Sequence, residues 1–276
     1  MKMKKLITIA LSAVLLTTTS CQENTPKKSK KINIAKPKAV VNLKYSVDRI
    51  IPHSKNSFTE GLLIHNNQIF ESTGSPDNLP FTKSVYGTVD TTNGEINIKN
   101  QLAPSYFGEG ICILNNQVFQ LTYQSREGFV YDLDSHKKIK SFQIPTKEGW
   151  GLTTDGENLI MTDGSANLHF IDPVTLEKTG TLKVFDTGRP VMYLNEIEYV
   201  NGYIYANIYT TDWIVKIDAE SGRVIARIDV TDLKLEEDRN SNTALETNGI
   251  AYNTETNQLY ITGKMWQNIY CVSVFE

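Results

Sequence analysis

The chain repeats one short unit five times, and this repeat constrains its fold more than any other feature. Each unit opens with a polar or aromatic residue followed by an apolar run. The five openings are Glu60-Gly61-Leu62, Glu109-Gly110-Ile111, Trp150-Gly151-Leu152, Asn195-Glu196-Ile197 and Asn248-Gly249-Ile250. They are spaced about 40–50 residues apart, which is the length of a four-stranded β-propeller blade. The spacing therefore predicts an all-β protein, a five-bladed β-propeller.

Turn signals follow the opening motifs in a constant order. The first turn of each unit is Asn66-Asn67, Asn115-Asn116, Asp155-Gly156, Asn201-Gly202 or Thr256-Asn257. A second apolar run comes next, and an aspartate then begins the turn between the third and fourth strands. These aspartates are Asp90, Asp132, Asp172 and Asp218. Such pairs and aspartates are typical of hairpin turns, so each unit is predicted to be an antiparallel sheet.

The two ends of the repeat region complete each other. The fifth unit stops after its third strand, at residues 271–274, whereas residues 43–51 form a separate predicted strand that precedes the first unit. We expect this early strand to become the outer strand of the last blade. Such pairing closes the ring and hides edges that would otherwise be exposed. The sequence thus predicts a single domain over residues 42–276.

The first 41 residues indicate export. A Lys-rich start precedes an apolar run over residues 6–16 and a short polar stretch, and Cys21 follows at once. This placement resembles a bacterial lipoprotein processing site, although Thr18 stands where leucine is usual. We expect a signal peptide over 1–20 and a lipidated Cys21 that begins a basic, disordered tether over 21–41. The protein would then be a membrane-anchored lipoprotein of a bacterial cell envelope, periplasmic or outer-membrane. An ordinary cleaved signal with an incidental cysteine is the alternative.

Composition excludes several classes of function. The net charge is −3, and nine lysines lie within the first 38 residues, so the repeat region is more acidic than the whole chain. An acidic domain argues against a nucleic-acid partner. Three Cys and four His cannot form a disulfide scaffold or a zinc module, and GxSxG, HExxH and GxxxxGK[ST] motifs are absent.

Two further features of the sequence leave alternatives open. Cys112 and Cys271 lie in apolar strands, where buried thiols are expected and a disulfide is the alternative. The acidic stretch over residues 236–238 is interpreted as a solvated insertion, with a structural calcium ion as the alternative. We expect no cofactor.

The opening residues of the units predict a binding site. The first strand of a propeller blade is innermost, so Glu60, Glu109, Trp150, Asn195 and Asn248 should surround one mouth of the channel. The residues that end the second strands lie near the same mouth and are Gly74, Tyr123, Gly164, Tyr209 and Lys264, with Phe58 and Phe107 two places before the glutamates. Apolar walls around a few polar groups are typical of a binding pocket. Polar channel residues that only hold water are the alternative.

Motifs in every unit resemble the glutamine cyclotransferases of the plant and bacterial type. They are Phe58-Thr59-Glu60-Gly61-Leu62, Tyr106-Phe107-Gly108-Glu109-Gly110, Gly149-Trp150-Gly151-Leu152, Gly188-Arg189-Pro190-Val191, Leu194-Asn195-Glu196-Ile197-Glu198-Tyr199, Asn248-Gly249-Ile250 and Thr262-Gly263-Lys264. The resemblance spans about residues 44–274, and that family folds as five-bladed propellers. It implies glutaminyl-peptide cyclotransferase activity, in which the α-amine of an N-terminal Gln attacks its own carboxamide. Ammonia leaves and pyroglutamate remains.

The resemblance also implies roles for individual residues. Glu109 matches the glutamate that shuttles a proton, and Glu60 would hold the substrate's amino group. Asn195 and Lys264 match pocket positions that polarise the carboxamide. Trp150, Phe58 and Phe107 would form an apolar slot, and Tyr123 and Tyr209 would add to its aromatic wall as further substrate-binding residues. The implied reaction needs no metal, its partners are peptides or proteins with N-terminal Gln, and the protein is expected to be a monomer.

Three residues depart from the family's usual pattern, and two other functions are alternatives. Tyr123 and Tyr209 stand where the family usually carries Trp, and Tyr86 stands where it carries Arg. The substrate preference is expected to differ as a result. A non-catalytic envelope propeller that captures a peptide or sugar is the main rival, and a glycosidase that uses the paired carboxylates is another.

Overall fold

The computed structural model describes residues 39–276. The expected signal peptide, Cys21 and nearly all of the expected tether lie outside the described residues. The first strand begins at Val41, one residue before the predicted domain start. No helix within residues 39–276 has the length and apolar character needed to cross a membrane.

Residues 39–276 form 22 strands and one short helix, so the all-β prediction is confirmed. The elements in chain order are β1 (Val41–Pro52), β2 (Thr59–His65), β3 (Gln68–Thr73), β4 (Val85–Val89), β5 (Ile96–Gln101), β6 (Gly108–Leu114), β7 (Gln117–Thr122), β8 (Glu127–Asp132), β9 (Lys138–Gln143), β10 (Leu152–Thr154), β11 (Leu159–Met161), β12 (Asn167–Ile171), β13 (Lys178–Lys183), β14 (Phe185–Asp186), β15 (Arg189–Pro190), β16 (Leu194–Val200), β17 (Tyr203–Ile208), β18 (Trp213–Asp218), β19 (Val224–Asp229), α1 (Thr231–Asn240), β20 (Thr247–Asn253), β21 (Gln258–Gly263) and β22 (Asn268–Phe275).

The strands form antiparallel sheets in chain order. Strands β2–β5, β6–β9 and β10–β13 each make a four-stranded sheet, and β14 and β15 make a small hairpin. The remaining strands form one eight-stranded sheet in the order β16-β17-β18-β19-β1-β22-β21-β20. This sheet has two antiparallel halves, which a short parallel pairing joins between β1 and β19, with Val41 opposite Ala226.

The early strand pairs with the last strand. β1 runs antiparallel to β22, with Lys44 opposite Phe275 and Pro52 opposite Asn268. The expected pairing of residues 43–51 with the end of the chain is therefore present. It joins the two ends of the domain in one sheet.

The turns adopt the conformations that the sequence predicts. Asn66 and Asn67 have φ of 48° and 59°, and Asn115 and Asn116 have φ of 52° and 58°. Two successive residues with positive φ match the twist of a tight hairpin. The aspartate turns are also present, since Asp90 Oδ1 accepts the Thr92 N–H at 2.8 Å, and the other three aspartates bind backbone N–H groups likewise.

Glycines let the opening strands approach one another closely. A Cβ on Gly61 would lie 2.8 Å from Ile111 N, and one on Gly110 would lie 2.5 Å from Leu152 N. A Cβ on Gly151 would lie 2.3 Å from Asn195 O. These distances are shorter than a Cβ can tolerate. The second residue of these opening motifs is therefore glycine because a neighbouring backbone passes directly beside it.

The fourth opening motif carries a glutamate instead of glycine. Glu196 is buried, and its carboxylate accepts the Leu62 N–H of β2 at 3.3 Å and the Ile250 N–H of β20 at 2.7 Å. Two residues further on, Glu198 accepts the Tyr252 N–H at 3.0 Å and the Thr153 hydroxyl at 3.1 Å. Strand β16 thus uses two glutamates on one face to bind strands β2, β10 and β20.

Both described cysteines are buried free thiols. Cys112 packs in the apolar cluster shared by the sheets β2–β5, β6–β9 and β10–β13. Cys271 belongs to a second cluster between β1–β3 and β20–β22. The expectation of buried thiols is confirmed, and the disulfide alternative is wrong.

The acidic stretch over residues 236–238 is solvated only in part, since Asp238 is exposed and Glu236 partly buried. It belongs to α1, and Glu237 is fully buried. Its carboxylate accepts hydrogen bonds from Gln267 N at 2.8 Å, Asn268 Nδ2 at 2.7 Å and the Tyr270 hydroxyl at 2.8 Å. The sequence did not predict this helix because polar contacts hold it in place and it lacks an apolar stripe. Both carboxylate oxygens of Glu237 accept hydrogen bonds from protein donors. This is the stretch for which a structural calcium ion was the alternative interpretation.

Candidate active site

A cavity of about 450 Å³ collects the residues that the sequence singled out. All nine candidate catalytic and substrate-binding residues line it, namely Phe58, Glu60, Phe107, Glu109, Tyr123, Trp150, Asn195, Tyr209 and Lys264. Sequence reasoning missed the rest of the lining, which comes from two loops, residues 75–77 and 104–106. These loops follow β3 and β5 and carry no repeat signal, so periodicity could not find them.

Strand register explains why residues far apart in sequence meet. Glu60, Glu109, Asn195 and Asn248 are each the second residue of a unit's first strand. Tyr123, Tyr209 and Lys264 each follow directly after a second strand. In a hairpin the start of the first strand and the end of the second lie side by side. Equal positions in different units therefore converge on the same cavity.

The two glutamates have different surroundings. Glu60 Oε1 lies 2.8 Å from Lys264 Nζ, and Glu60 Oε2 accepts the Asn248 amide at 3.0 Å. Burial raises the pKa of Glu60 above its ordinary value, and the Lys264 charge limits the rise. For Glu109, burial and the charge of Glu60 both raise the pKa well above its ordinary value. The surroundings therefore favour the protonated form more strongly at Glu109 than at Glu60, whose carboxylate is paired with Lys264.

A hydrogen-bond chain fixes the amides beside Glu60. Asn248 Nδ2 donates to Glu60 Oε2 and to Thr59 O at 2.9 Å. Because both of these groups only accept, Asn248 Oδ1 must point the other way, where it accepts Asn195 Nδ2 at 2.9 Å. Asn248 was predicted to lie in the ring at the mouth, but it is fully buried beneath the cavity. Its role there is to connect Glu60 to Asn195.

Aromatic rings form the walls of the cavity. Phe107 packs edge-on against Phe58 at 5.9 Å and lies 5.9 Å from Tyr123, whereas Trp150 packs edge-on against Tyr209 at 5.5 Å. The ammonium of Lys264 lies over the Phe58 ring at 4.6 Å and 5.4 Å from the Tyr209 ring. Lys264 is thus held by a carboxylate and by aromatic faces, an arrangement that stabilises a buried cation.

Two glycines provide the space that the rings occupy. A Cβ on Gly74 would lie 2.2 Å from Phe107 Cζ, and one on Gly164 would lie 2.7 Å from Trp150 Cη2. Gly74 directly follows β3 and Gly164 comes three residues after β11, at the places where the other units carry Tyr123, Tyr209 and Lys264. The sequence placed them in the same ring, but their contribution is to make room for an aromatic ring, which comes from the next unit at Gly74 and from the same unit at Gly164.

Three comparisons with known proteins identify the family of this chain. The family profile for glutamine cyclotransferases matches residues 11–274. The glutaminyl-peptide cyclotransferase of Arabidopsis thaliana is 36% identical over 225 residues, which cover 81% of this chain and 69% of that protein. The crystal structure of Myxococcus xanthus glutaminyl cyclase superposes with a TM-score of 0.78 at 28% identity, over 86% of this chain and 98% of that one. The chain therefore belongs to the glutamine cyclotransferase family.

Proposed function

We propose that this protein is a glutaminyl-peptide cyclotransferase, which converts the N-terminal Gln of peptides and proteins to pyroglutamate and releases ammonia. One observation carries the proposal: Glu60, Glu109 and Lys264 meet in a single aromatic-walled cavity. The family and the name of the Arabidopsis relative support the same reaction.

Glu109 moves the proton that the reaction requires. The neutral α-amine forms a bond to the side-chain carbonyl carbon, and the bond from that carbon to the amide nitrogen breaks. The leaving nitrogen needs a proton, and the attacking nitrogen must lose one. Because its raised pKa keeps Glu109 protonated at rest, it donates to the leaving nitrogen and then accepts the proton from the amine. The carboxyl group ends in its starting state.

Glu60 and Lys264 hold the reacting groups. The Glu60 carboxylate accepts a hydrogen bond from the substrate's amino group, and the Lys264 ammonium stabilises the oxyanion that develops on the carboxamide. Asn195, which the chain through Asn248 keeps in place, is proposed to donate a hydrogen bond to that oxygen. Polar groups fixed before the substrate arrives need no rearrangement during the reaction.

The aromatic walls bring the amine to the carbonyl. A free Gln side chain samples many conformers, and few of them place the amine near the side-chain carbon. A slot bounded by Phe58, Phe107, Trp150 and Tyr209 excludes water and favours the folded-back conformer. Orientation of this kind supplies much of the rate gain when both reacting groups belong to one molecule.

The fold and the location of the protein are part of the proposal. We infer that the two halves of the eight-stranded sheet act as separate blades, which gives a five-bladed propeller with the cavity at its channel mouth.

We also propose a signal peptide over 1–20, lipidation at Cys21, a 21–41 tether and a monomer in a bacterial cell envelope. Loss of the protein from the membrane fraction in a Cys21→Ala variant would support the anchor.

A peptide assay tests the proposed activity. Purified protein should release one molecule of ammonia for each molecule of a short Gln-initiated peptide and should leave the peptide with a blocked amino terminus. The same peptide with N-terminal Asn should remain unchanged, because the shorter side chain would form a different ring. A protein that binds the Gln peptide without converting it would instead be a peptide-binding propeller.

A further inference from the structure

Glu148 lies outside the cavity lining but contacts the residues that build it. It belongs to the segment between β9 and β10, and its side chain is partly buried. Glu148 Oε2 accepts the indole N–H of Trp150 at 3.1 Å, and Oε1 accepts the Gln124 amide at 2.9 Å. The two donors lie in different connecting segments. Gln124 lies between β7 and β8, and Trp150 lies between β9 and β10. Glu148 therefore joins two segments that meet at the cavity wall.

Both segments carry a wall ring. Trp150 is itself in the wall, and Gln124 is the neighbour of Tyr123, which is in the wall as well. Burial, followed by the charge of Glu148, raises the pKa of the Tyr123 phenol. The hydrogen bond from Gln124 therefore connects Glu148 to the segment that carries the Tyr123 ring.

The indole of Trp150 needs a fixed orientation. Its ring packs over Gly164 and edge-on against Tyr209, contacts that a rotated ring could partly retain. The N–H group is the polar atom of that ring, and a hydrogen bond to a charged acceptor is stronger than one between neutral groups. The bond to Glu148 thus selects one orientation among those that the packing allows.

We propose that Glu148 is a positioning residue for the cyclisation: it holds Trp150 and the Tyr123 segment so that the slot keeps the shape that folds the Gln side chain. The proposal rests on the proposed function, because the slot has this purpose only if the site cyclises Gln. Glu148 does not itself touch the reacting atoms.

Nuclear magnetic resonance of the indole groups tests the contact without any assay of activity. The chain has three Trp, so three indole N–H signals are expected, and a Trp150→Phe variant assigns one of them. In Glu148→Ala this signal should shift, and its hydrogen exchange should become about tenfold faster or more, since a hydrogen bond to a charged acceptor is lost. The Trp266 indole donates to Leu245 O at 3.0 Å and serves as the internal reference. An unchanged Trp150 signal would overturn the proposal.

Kinetics test what the contact does. Glu148→Ala should lower kcat/KM by about tenfold to a hundredfold, mostly through kcat, because a misplaced ring weakens orientation more than binding. Glu148→Gln keeps an acceptor and should recover most of that loss and most of the Trp150 signal. Glu157→Ala, an exposed glutamate in the β10–β11 turn, should match the wild type. Equal turnover of Glu148→Ala and wild type would contradict the role. A wild type that converts no Gln peptide would refute the proposed function, while the indole measurement would still decide the contact.

Discussion

At the scale of single residues, the site shows how surroundings give one residue type two states. Glu60 and Glu109 occupy the same position in consecutive units, yet Lys264 and Asn248 bind only Glu60. Glu109 has no such partner in the described residues, and burial followed by the charge of Glu60 raises its pKa well above the ordinary value, which favours its protonated form. An acid and a carboxylate beside each other are what a proton shuttle and an amine-binding group require.

Lys264 causes the difference between the surroundings of Glu60 and Glu109. Apart from substitutions of the glutamates themselves, its replacement is therefore the most informative change. Lys264→Met removes the charge that limits the pKa of Glu60, which should then rise further and leave Glu60 neutral near pH 7. We expect kcat/KM to fall by about a hundredfold because both oxyanion stabilisation and amine binding are lost. The acidic limb of the pH–rate profile should move to higher pH.

Lys216→Met is the matched control for this change. Lys216 Nζ lies 4.2 Å from the Tyr203 ring but is bonded to no carboxylate in the described part of the chain. Its loss should change stability by about 1 kcal/mol at most and leave turnover intact. If Lys264→Met kept normal turnover, the pairing with Glu60 would have no part in the reaction.

At the scale of structural elements, the ends of the second strands shape the walls. Gly164 has φ of +75° and supports the Trp150 ring, and Gly188 has φ of +88° with open space around it. Gly164→Ala and Gly188→Ala should each cost about 1 kcal/mol of unfolding free energy from backbone strain. Only Gly164→Ala should also lower kcat/KM, by about tenfold, because its methyl group displaces the indole. Equal kinetics in the two variants, measured beside their thermal unfolding, would argue against this support of the ring.

The helix α1 depends on one buried carboxylate. Glu237→Ala would leave three donors on Gln267, Asn268 and Tyr270 without an acceptor in a buried region. We expect a loss of about 2–4 kcal/mol in unfolding free energy, measured by urea denaturation. Asp238→Ala, the exposed neighbour, removes a surface ion pair with Lys234 and should cost less than about 1 kcal/mol. Similar losses in both variants would show that Glu237 does not anchor the helix.

At the scale of the whole molecule, buried carboxyl groups make stability depend on pH. Burial raises the pKa of Glu198 to about 8, and burial together with Glu198 raises that of Glu196 well above its ordinary value. A carboxyl whose pKa rises on folding binds more protons in the folded state. Its contribution is full below the ordinary pKa and is lost as the pH rises through the raised pKa. The protein should therefore lose stability between about pH 5 and pH 8.

Glu198→Gln tests this dependence. Glutamine imitates the protonated acid, so the decline in unfolding free energy from pH 5 to pH 8 should become shallower, by at most about 1.4 kcal/mol per pH unit. Glu157→Gln, at an exposed turn, should leave the slope unchanged. A slope that is the same in Glu198→Gln and wild type would mean that Glu198 is ionised throughout the folded state.

The repeat made most of the site predictable. Glu60, Glu109, Asn195 and Lys264 could be identified because each stands at a repeated position of its unit. The repeat period determines which strand positions lie at the same end of the sheets. It could not identify Glu148 or the loops at 75–77 and 104–106, which fall between repeats. Nor could it predict that Glu196 and Glu237 are buried, since a carboxylate is usually exposed unless donors meet it, and those donors are distant in sequence.

The central claim is that Glu109 carries the proton of the cyclisation, and the direct measurement compares wild type with Glu109→Gln on one Gln-initiated peptide. Glutamine keeps the size of the side chain but cannot exchange a proton. We expect the variant to fold, to bind the peptide within about threefold of wild type and to release ammonia about a thousandfold more slowly. Ammonia release at the wild-type rate by a folded Glu109→Gln protein would contradict the claim.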